Sequence, residues 1–168
     1  MKNIIFCTHG DTMKKLSKSE ALLWNIALPG FSQLLMGQTV KGIIFMGLEF
    51  LINVNSHFNI AILYSFTGEI ALACSAVNYQ WLMFYPCLYM FALWDAYRSA
   101  MPQDEIYSYL PFVFGAYFLT IGLIFSGKGS ILGNMFGPVF SPMLFLIPGL
   151  LIGYLIRYIL LRKKRNET

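Results

Sequence analysis

The stretch "WNIALPGFSQLLMGQTVKGIIFMGLEFLIN" covers residues 24–53 and is mostly apolar, but Pro29 and Gly30 interrupt it and Glu49 lies near its far end. Proline removes one backbone hydrogen bond from a helix, and glycine adds backbone freedom. The stretch is therefore one membrane helix, two helices, or a hairpin that enters the bilayer and leaves on the same side. The choice decides the topology of the chain.

The composition indicates a membrane protein. Hydrophobic residues make up 57% of the 168 residues and aromatic residues 17%, whereas only 12% are charged. The 12 Lys or Arg and 8 Asp or Glu residues gather at the ends, because six lie in residues 1–20, six in residues 157–168 and only eight between. A soluble domain of this length needs a charged surface that these few charges do not provide. We therefore expect a multi-pass protein of the cell membrane.

Three later segments are long and apolar enough to be spans. A hydrocarbon core of about 30 Å needs about 20 helical residues at 1.5 Å each. Tyr79–Ala96, Tyr107–Phe125 and Phe136–Ile156 approach or meet that length. Pro, Gly and charged residues mark Ser99–Glu105 and Ser126–Asn134 as the connecting loops. The sequence thus predicts three spans after residue 78.

Prolines and glycines within these segments predict how the spans bend and pack. Pro86, Pro142 and Pro148 fall inside apolar segments, where bilayer helices tolerate kinks if neighbouring groups satisfy the freed carbonyls. Gly149 and Gly153 have the small-x-x-x-small spacing that lets two helix backbones approach closely. These residues indicate a last span that can kink at its prolines and pack closely at its glycines.

Basic residues at both ends predict an even number of spans. Lys14, Lys15 and Lys18 lie near the N-terminus, and the cluster Arg162–Arg165 lies near the C-terminus. Basic segments next to spans remain on the cytoplasmic side. Both termini are therefore expected in the cytoplasm, which allows four spans or six.

The remaining charges favour four spans. In that topology residues 20–38 enter the membrane partway and return, and residues 59–78 form an amphipathic helix or a loop at the interface. Lys41 is then cytoplasmic, and Lys128 is the only base outside. With six spans Lys41 also lies outside, and Asn78 must serve in a very tight turn. Six spans is the alternative.

These observations predict an all-α fold, a polytopic membrane helix bundle with four spanning helices plus an N-terminal re-entrant or interfacial helical hairpin. Residues 1–18 are expected to be a disordered cytoplasmic extension, residues 19–161 a single membrane domain and residues 162–168 a basic cytoplasmic tail. The apolar run Asn3–Cys7 is too short for a signal peptide, so no cleaved signal is expected. Met13 is an alternative start of the chain.

Glu49 is the candidate functional residue of the first stretch. A carboxyl group at membrane depth carries a desolvation cost, so an ionisable residue there indicates function by default. With Asn53 or Gln33 nearby, Glu49 could hold a proton or a cation. The alternative is structural, because a carboxyl near an interface, or one that stays protonated and donates to a carbonyl, needs no function.

Asp95 and Arg98 form a second candidate pair. They are three residues apart at a predicted helix end and follow Trp94, as interfacial anchors often do. In one interpretation they form a salt-bridged anchor with each other. In the other, Asp95 or Arg98 contacts the turn Gln33–Gln38 and fixes the hairpin to the following span.

Four aromatic residues, Trp81, Phe84, Tyr85 and Tyr89, also allow two interpretations. They line a groove for lipid or ligand, or they form the aromatic core and belt that membrane helices usually contain. The sequence leaves both open.

The sequence gives no support for a metal, a cofactor or catalysis. Cys7, His9 and Asp11 lack the second pair of ligands that a metal site needs, and three cysteines without C-x-x-C spacing do not form a complete disulfide framework. Hydrolase, metalloprotease, P-loop and dinucleotide motifs are missing. Basic residues at the two ends suit anionic lipids better than nucleic acid. We expect no metal, no cofactor and no enzymatic activity.

Three stretches carry a resemblance to a known group: "LPGFSQLLMGQTVKGIIFMGLEFLINV", "NYQWLMFYPCLYMFALWDAYR" and "LPFVFGAYFLTIGLIF". Over nearly all of residues 17–161 the chain resembles uncharacterised small multi-pass membrane proteins of spore-forming Gram-positive bacteria. More distantly it is similar to two-helix membrane domains with a Gly-rich turn and a terminal Trp-Asp pair. The matching positions are Pro29, Gly30, Gln33, Gly37, Lys41, Gly42, Trp94 and Asp95. The turn lacks the usual aromatic residue, and further spans follow. The resemblance implies location and topology and no defined activity.

The expected function is that of a non-enzymatic structural, assembly or accessory subunit that acts through helix and lipid contacts. Its expected partners are membrane lipids, together with other membrane proteins or further copies of the chain, and not nucleic acid. The alternative is a small transporter or channel component that uses Glu49 as a proton or cation site.

Overall fold

The computed structural model describes residues 16–101, 105–127 and 136–166. All regular secondary structure within these ranges is helical, which confirms the predicted all-α class. The helices are α1 (Lys18–Ala27), α2 (Phe31–Leu35), α3 (Thr39–Ser56), α4 (Phe58–Phe66), α5 (Ile70–Ala76), α6 (Tyr79–Leu82), α7 (Tyr85–Ser99), α8 (Leu110–Ser126) and α9 (Gly137–Asn166). Residues 1–15 of the predicted extension, with Cys7, His9 and Asp11, and the loop around Lys128 lie outside the described residues.

The first stretch begins with a helical hairpin. α1 has ten residues and so extends only about 15 Å, half the thickness of a hydrocarbon core. The chain then reverses at Pro29 and Gly30, where Gly30 has a φ of 98° that favours glycine. As a result the Ser32 hydroxyl donates a hydrogen bond to the backbone oxygen of Ala21, eleven residues earlier. The predicted break therefore lies at the turn between α1 and α2.

The hairpin packs closely against α3. A second turn at Gly37 (φ 77°) leads into this helix. A Cβ atom at Gly30 would lie 2.5 Å from the backbone oxygen of Gly42, and one at Gly42 would lie 2.6 Å from the Leu34 side chain. Only glycine fits at either position, so the hairpin and α3 share one compact contact.

Residues 58–76 form two short helices at the other end of α3. α4 is bent by 68° from α3 at His57, which has a φ of 55°, and Gly68 (φ 85°) separates α4 from α5. One apolar cluster joins these helices to α6 and α8; its buried members are Ala61, Ala73, Val77, Leu82 and Leu123. The segment predicted as an amphipathic helix or loop is thus a pair of packed helices.

The predicted span Tyr79–Ala96 is wrong as one continuous helix. α6 ends at Leu82, and α7 begins at Tyr85 and has 15 residues. Pro86 lies in the first turn of α7, where the backbone N–H has no helical partner and its loss costs little. The proline that the sequence suggested as a kink therefore starts a helix.

α8 and α9 form a tightly packed hairpin. A Cβ atom at Gly149 would lie 2.7 Å from Cβ of Phe118, and one at Gly153 would lie 2.5 Å from Cα of Pro111. Ser141 donates a hydrogen bond to the backbone oxygen of Gly122 at 2.8 Å. The close approach expected for Gly149 and Gly153 is confirmed.

Within the described residues, only α9 is by itself long and apolar enough to cross a membrane. It has 30 residues, and its most apolar window has a mean hydropathy of 2.1. α3 and α4 meet the same criteria only as a bent pair, and α8 is apolar but has 17 residues. α9 continues past the predicted end of the span at Ile156 to Asn166, so the predicted basic tail is largely helical.

Candidate functional site

Gln33 connects the N-terminal hairpin to α7. Its side chain is fully buried, and Nε2 donates to the backbone oxygen of Ala92 and to Oδ2 of Asp95, both at 3.1 Å. Lys41, at the start of α3, pairs with the other carboxylate oxygen of Asp95 at 2.9 Å. Asp95 thus joins three elements, and the interpretation in which it contacts the Gln33–Gln38 turn is the one that the structure shows.

Arg98 and Ser99 extend this contact toward the end of α7. The Ser99 hydroxyl donates to Oε1 of Gln38 at 3.4 Å, which adds a second link between α7 and the turn. The guanidinium carbon of Arg98 lies 5.5 Å from the ring centroid of Trp94, within the range of a cation–π contact. Arg98 therefore lies beside the contact of Asp95 with Gln33 and Lys41, which we call the hairpin lock, and packs on the aromatic residue that precedes Asp95.

Glu105 is the centre of a second cluster, which links α1, α7 and α9. One carboxylate oxygen pairs with Lys18 at the start of α1. The other accepts hydrogen bonds from Nη2 of Arg157 on α9 at 2.6 Å and from the Tyr97 hydroxyl on α7 at 3.1 Å. The hydrogen bonds from Lys18 and Arg157 lower the pKa of Glu105 to about 2, and the hydrogen bond to Glu105 raises the pKa of Lys18. Glu105 is therefore charged at neutral pH.

The two clusters lie at the same end of the bundle, because Asp95 and Tyr97 are two residues apart at the end of α7. We call this the polar end and define it by Lys18, Lys41, Asp95, Glu105 and Arg157. Three cations and two carboxylates give these five residues a net charge of +1. Its ion pairs join α3 to α7 and, through Glu105, α1 to α9, and the hydrogen bond from Tyr97 to Glu105 connects the two groups.

Glu49 lies inside the bundle, away from the polar end. It is eight residues beyond Lys41 on α3, about 12 Å along the helix axis. Its side chain is 8% exposed, and Oε1 accepts a hydrogen bond from the Tyr85 hydroxyl at 3.1 Å. Oε2 is buried and has no hydrogen-bond partner among the described residues. One oxygen of this carboxyl group is therefore unsatisfied.

The structure brings Asn53, but not Gln33, close to Glu49. Asn53 is one turn further along α3 and so on the same face of the helix as Glu49, and its amide nitrogen donates to Oδ1 of Asn59 at 3.1 Å. Gln33 instead binds at Ala92, seven residues or about 10 Å from Tyr85 along α7. The expected grouping of Gln33 with Glu49 is therefore wrong, because the hairpin turns toward the end of α7.

A cavity of about 590 Å³ lies between α1, α4, α6, α7, α8 and α9, and we call it the apolar groove. Apart from three tyrosines, every residue that lines it in the described part of the chain is Leu, Ile, Val, Met, Phe or Pro. This volume is in the range of small-molecule pockets, about 300–1,000 Å³. The groove is therefore large enough for a ligand and chemically suited to an apolar one.

Two of the aromatic residues singled out in the sequence line the groove. Tyr85 and Tyr89 stack with their ring centroids 5.5 Å apart, and the Tyr89 hydroxyl donates to the backbone oxygen of Ile26 at 3.2 Å. Trp81 and Phe84 pack against each other, with ring centroids 6.4 Å apart, and do not line it. Because both tyrosine hydroxyls bond to protein atoms, they satisfy polar groups of the protein and leave the groove apolar.

No group of three or more His, Cys, Asp or Glu residues in the described ranges is placed to hold a metal ion. A comparison with protein-family models found no match, and comparisons with curated proteins and with solved structures found none either.

Glu105 is the site residue that the sequence analysis missed. It occupies a loop rich in polar residues, where a carboxylate is ordinarily solvated. Its partners Lys18 and Arg157 are 87 and 52 residues away in the chain. The only signal in the sequence is the presence of single bases at the ends of two apolar helices, and that signal does not say which acid they meet.

Proposed function

We propose that this chain is a multi-pass protein of the cell membrane in which α3, α6 with α7, α8 and α9 form four spans. In this proposal α1 and α2 form a re-entrant hairpin from the cytoplasmic side, and both termini are cytoplasmic. The protein acts without catalysis, as a structural, assembly or accessory subunit that contacts lipids and other helices. The resemblance to small multi-pass membrane proteins fits this topology.

The observation that carries the proposal is the position of the polar end. α3 and α8 begin near it, whereas α7 ends there and α9 reaches it at Arg157. From Gly137 to Arg157, α9 rises through 20 residues, or about 30 Å, the thickness of a hydrocarbon core. An excess of basic residues at one end supports its assignment to the cytoplasmic side.

The outer surface of the bundle supports a lipid environment. Large apolar side chains are exposed along α3, α8 and α9, among them Phe50 at 72% and Leu151 at 64%. Only 22% of the most apolar window of α9 is buried inside the protein, unlike the core helix of a soluble domain. Such a continuous apolar surface is unfavourable in water and favourable in a bilayer.

Cysteine labelling in intact cells tests the topology. The native cysteines are replaced by serine, and single cysteines are introduced as Val40→Cys, Glu69→Cys and Lys128→Cys. Val40 is exposed and adjacent to Lys41, so that substitution leaves the Lys41–Asp95 pair intact. With four spans, a membrane-impermeant maleimide labels positions 69 and 128 in intact cells and position 40 only after permeabilisation. Labelling of position 40 in intact cells would support six spans and overturn the hairpin.

A second candidate function is transport of a proton or cation through Glu49. The unpartnered, buried Oε2 favours it, because an unsatisfied carboxyl oxygen inside an apolar bundle is where a proton or cation would bind. The protein reconstituted in liposomes should then conduct protons or Na⁺ under an imposed potential. Glu49→Gln should reduce this flux to that of empty vesicles, and Glu69→Gln, at an exposed position, should not. Flux that is absent from the wild type or unchanged by Glu49→Gln removes this candidate.

A further inference from the structure

The apolar groove has the length of an extended alkyl chain. Its lining on α9 runs from Pro138 to Tyr154, which are 16 residues and so about 24 Å apart. One water molecule occupies ~30 Å³ in the liquid, and a methylene group is of similar size. A volume of 590 Å³ therefore holds roughly twenty methylene groups. A single long acyl chain matches both the length and the volume.

The groove is accessible from the side of the bundle. Leu82, Leu123 and Val139 are buried in its wall, whereas Met143 and Tyr154 line it and are exposed. A ligand can therefore enter laterally from the medium that surrounds the helices. In a membrane that medium is lipid, so the occupant is a lipid and not a water-soluble ligand.

One end of the groove lies beside two cations of the polar end. Leu22 lines the groove one turn after Lys18, and Tyr154 lines it one turn before Arg157. Lys18 and Arg157 share the carboxylate of Glu105, which leaves this group a net charge of +1. Nε of Arg157 is buried without a hydrogen-bond partner among the described residues. The groove therefore ends next to an excess positive charge.

We propose that the apolar groove binds one acyl chain of an anionic phospholipid, with the lipid phosphate at Lys18 and Arg157. The phosphate neutralises the excess charge and accepts charge-assisted hydrogen bonds, while the chain fills the groove. A neutral lipid would leave the charge uncompensated, and free phosphate would leave the groove empty. The proposal rests on the proposed membrane location and names the lipid class that the protein contacts.

Binding of the acyl chain is tested by substitutions that fill the groove. The full chain is purified in detergent and titrated with phosphatidylglycerol with 18-carbon chains, and bound lipid is counted by native mass spectrometry. The wild type should retain one molecule. Leu119→Trp places a bulky ring in the groove and should weaken retention about tenfold or more. The control Leu151→Trp, on the exposed face of α9 outside the groove, should bind as the wild type does.

The headgroup is tested with Lys18→Gln and with lipids of equal chain length. The wild type should prefer phosphatidylglycerol to phosphatidylcholine about tenfold. Lys18→Gln should remove most of that preference. Lys41→Gln, at the other ion pair of the polar end, should retain it. Inorganic phosphate at the same concentration should not displace the lipid, because the chain supplies part of the affinity.

Three results would overturn the proposal: Leu119→Trp binds like Leu151→Trp, the two headgroups bind equally well, or a single-chain prenyl phosphate binds in preference to the phospholipid. Circular dichroism establishes that each variant is folded, and Met143→Trp narrows the groove from its exposed rim if Leu119→Trp does not fold. Failure of the proposed topology appears separately, as a different cysteine-labelling pattern, so the two failures are distinguishable.

Discussion

Gly30→Ala should lower the melting temperature of the purified protein by about 5–15 °C, the largest effect that we expect from a single methyl group. Gly30 has a φ of 98°, a backbone conformation that costs an L-residue roughly 1–2 kcal/mol. The added Cβ would also lie 2.5 Å from the backbone oxygen of Gly42 and 2.9 Å from Cβ of Phe45, and overpacking of this kind costs about 1–3 kcal/mol. Neither neighbour is the flexible end of a side chain, so the hairpin must move.

Gly47→Ala is the matched control for this prediction. Gly47 lies on α3 as Gly42 does, but a Cβ atom there meets nothing within 4 Å. Because alanine favours a helix interior by up to ~1 kcal/mol over glycine, this variant should melt at or above the temperature of the wild type. Melting followed by circular dichroism or by a thiol-reactive dye measures both variants in the same detergent. Equal melting temperatures for Gly30→Ala and the wild type would contradict the close contact between the hairpin and α3.

The position of this hairpin could be predicted because its causes are local. Proline lacks a backbone donor and glycine permits a positive φ, so residues 29 and 30 indicate a break wherever the chain lies. The all-helical class follows from the long apolar runs in the same way. The close approach at Gly149 and Gly153 follows from their four-residue spacing on one helix face.

The contacts of Glu105 could not be predicted, and the contact of Gln33 with Asp95 could be given only as one of two interpretations, because both depend on elements far apart in the chain. Gln33 meets Asp95 across 62 residues, and Glu105 meets Lys18 across 87. Charge and spacing show that such residues need partners, but they do not select one. The sequence therefore left two positions open for Gln33, beside Glu49 or in a turn that contacts Asp95, and packing of the hairpin against α7 produces the second.

The break between α6 and α7 was missed for a different reason. The residues from Tyr79 to Leu93 are apolar or uncharged throughout, so hydropathy gives no sign of where a helix stops. Pro86 was the only visible disruption and indicated a kink at its own position. In the structure, the chain turns just before it, because proline is best accommodated in the first turn of a helix. A proline inside an apolar run can therefore indicate a helix start as well as a bend.

Asp95→Ala should destabilise the protein by about 1–3 kcal/mol, the cost of leaving a buried donor without its acceptor. Gln33 would lose one of its two acceptors, and its Oε1 atom already has no partner among the described residues. Lys41 should contribute little to this loss, because its side chain is 53% exposed and becomes solvated when the pair is broken. The expected decrease in melting temperature is about 2–10 °C.

Comparison with Asp95→Asn and Lys41→Ala separates the two contacts of Asp95. Asparagine retains an oxygen that accepts from Gln33 but lacks the charge that attracts Lys41, so it should cost less than alanine. Lys41→Ala removes the ion pair, in which the lysine is 53% exposed and the carboxylate 13%, and should cost less than Asp95→Ala because the carboxylate keeps its hydrogen bond from Gln33. A loss for Lys41→Ala as large as that for Asp95→Ala would show that the ion pair, and not the buried amide, holds the hairpin to α7. If Asp95→Ala costs more than Lys41→Ala, the stability of the hairpin lock should depend little on salt. Its main contact is then the buried one made by Gln33, which is uncharged.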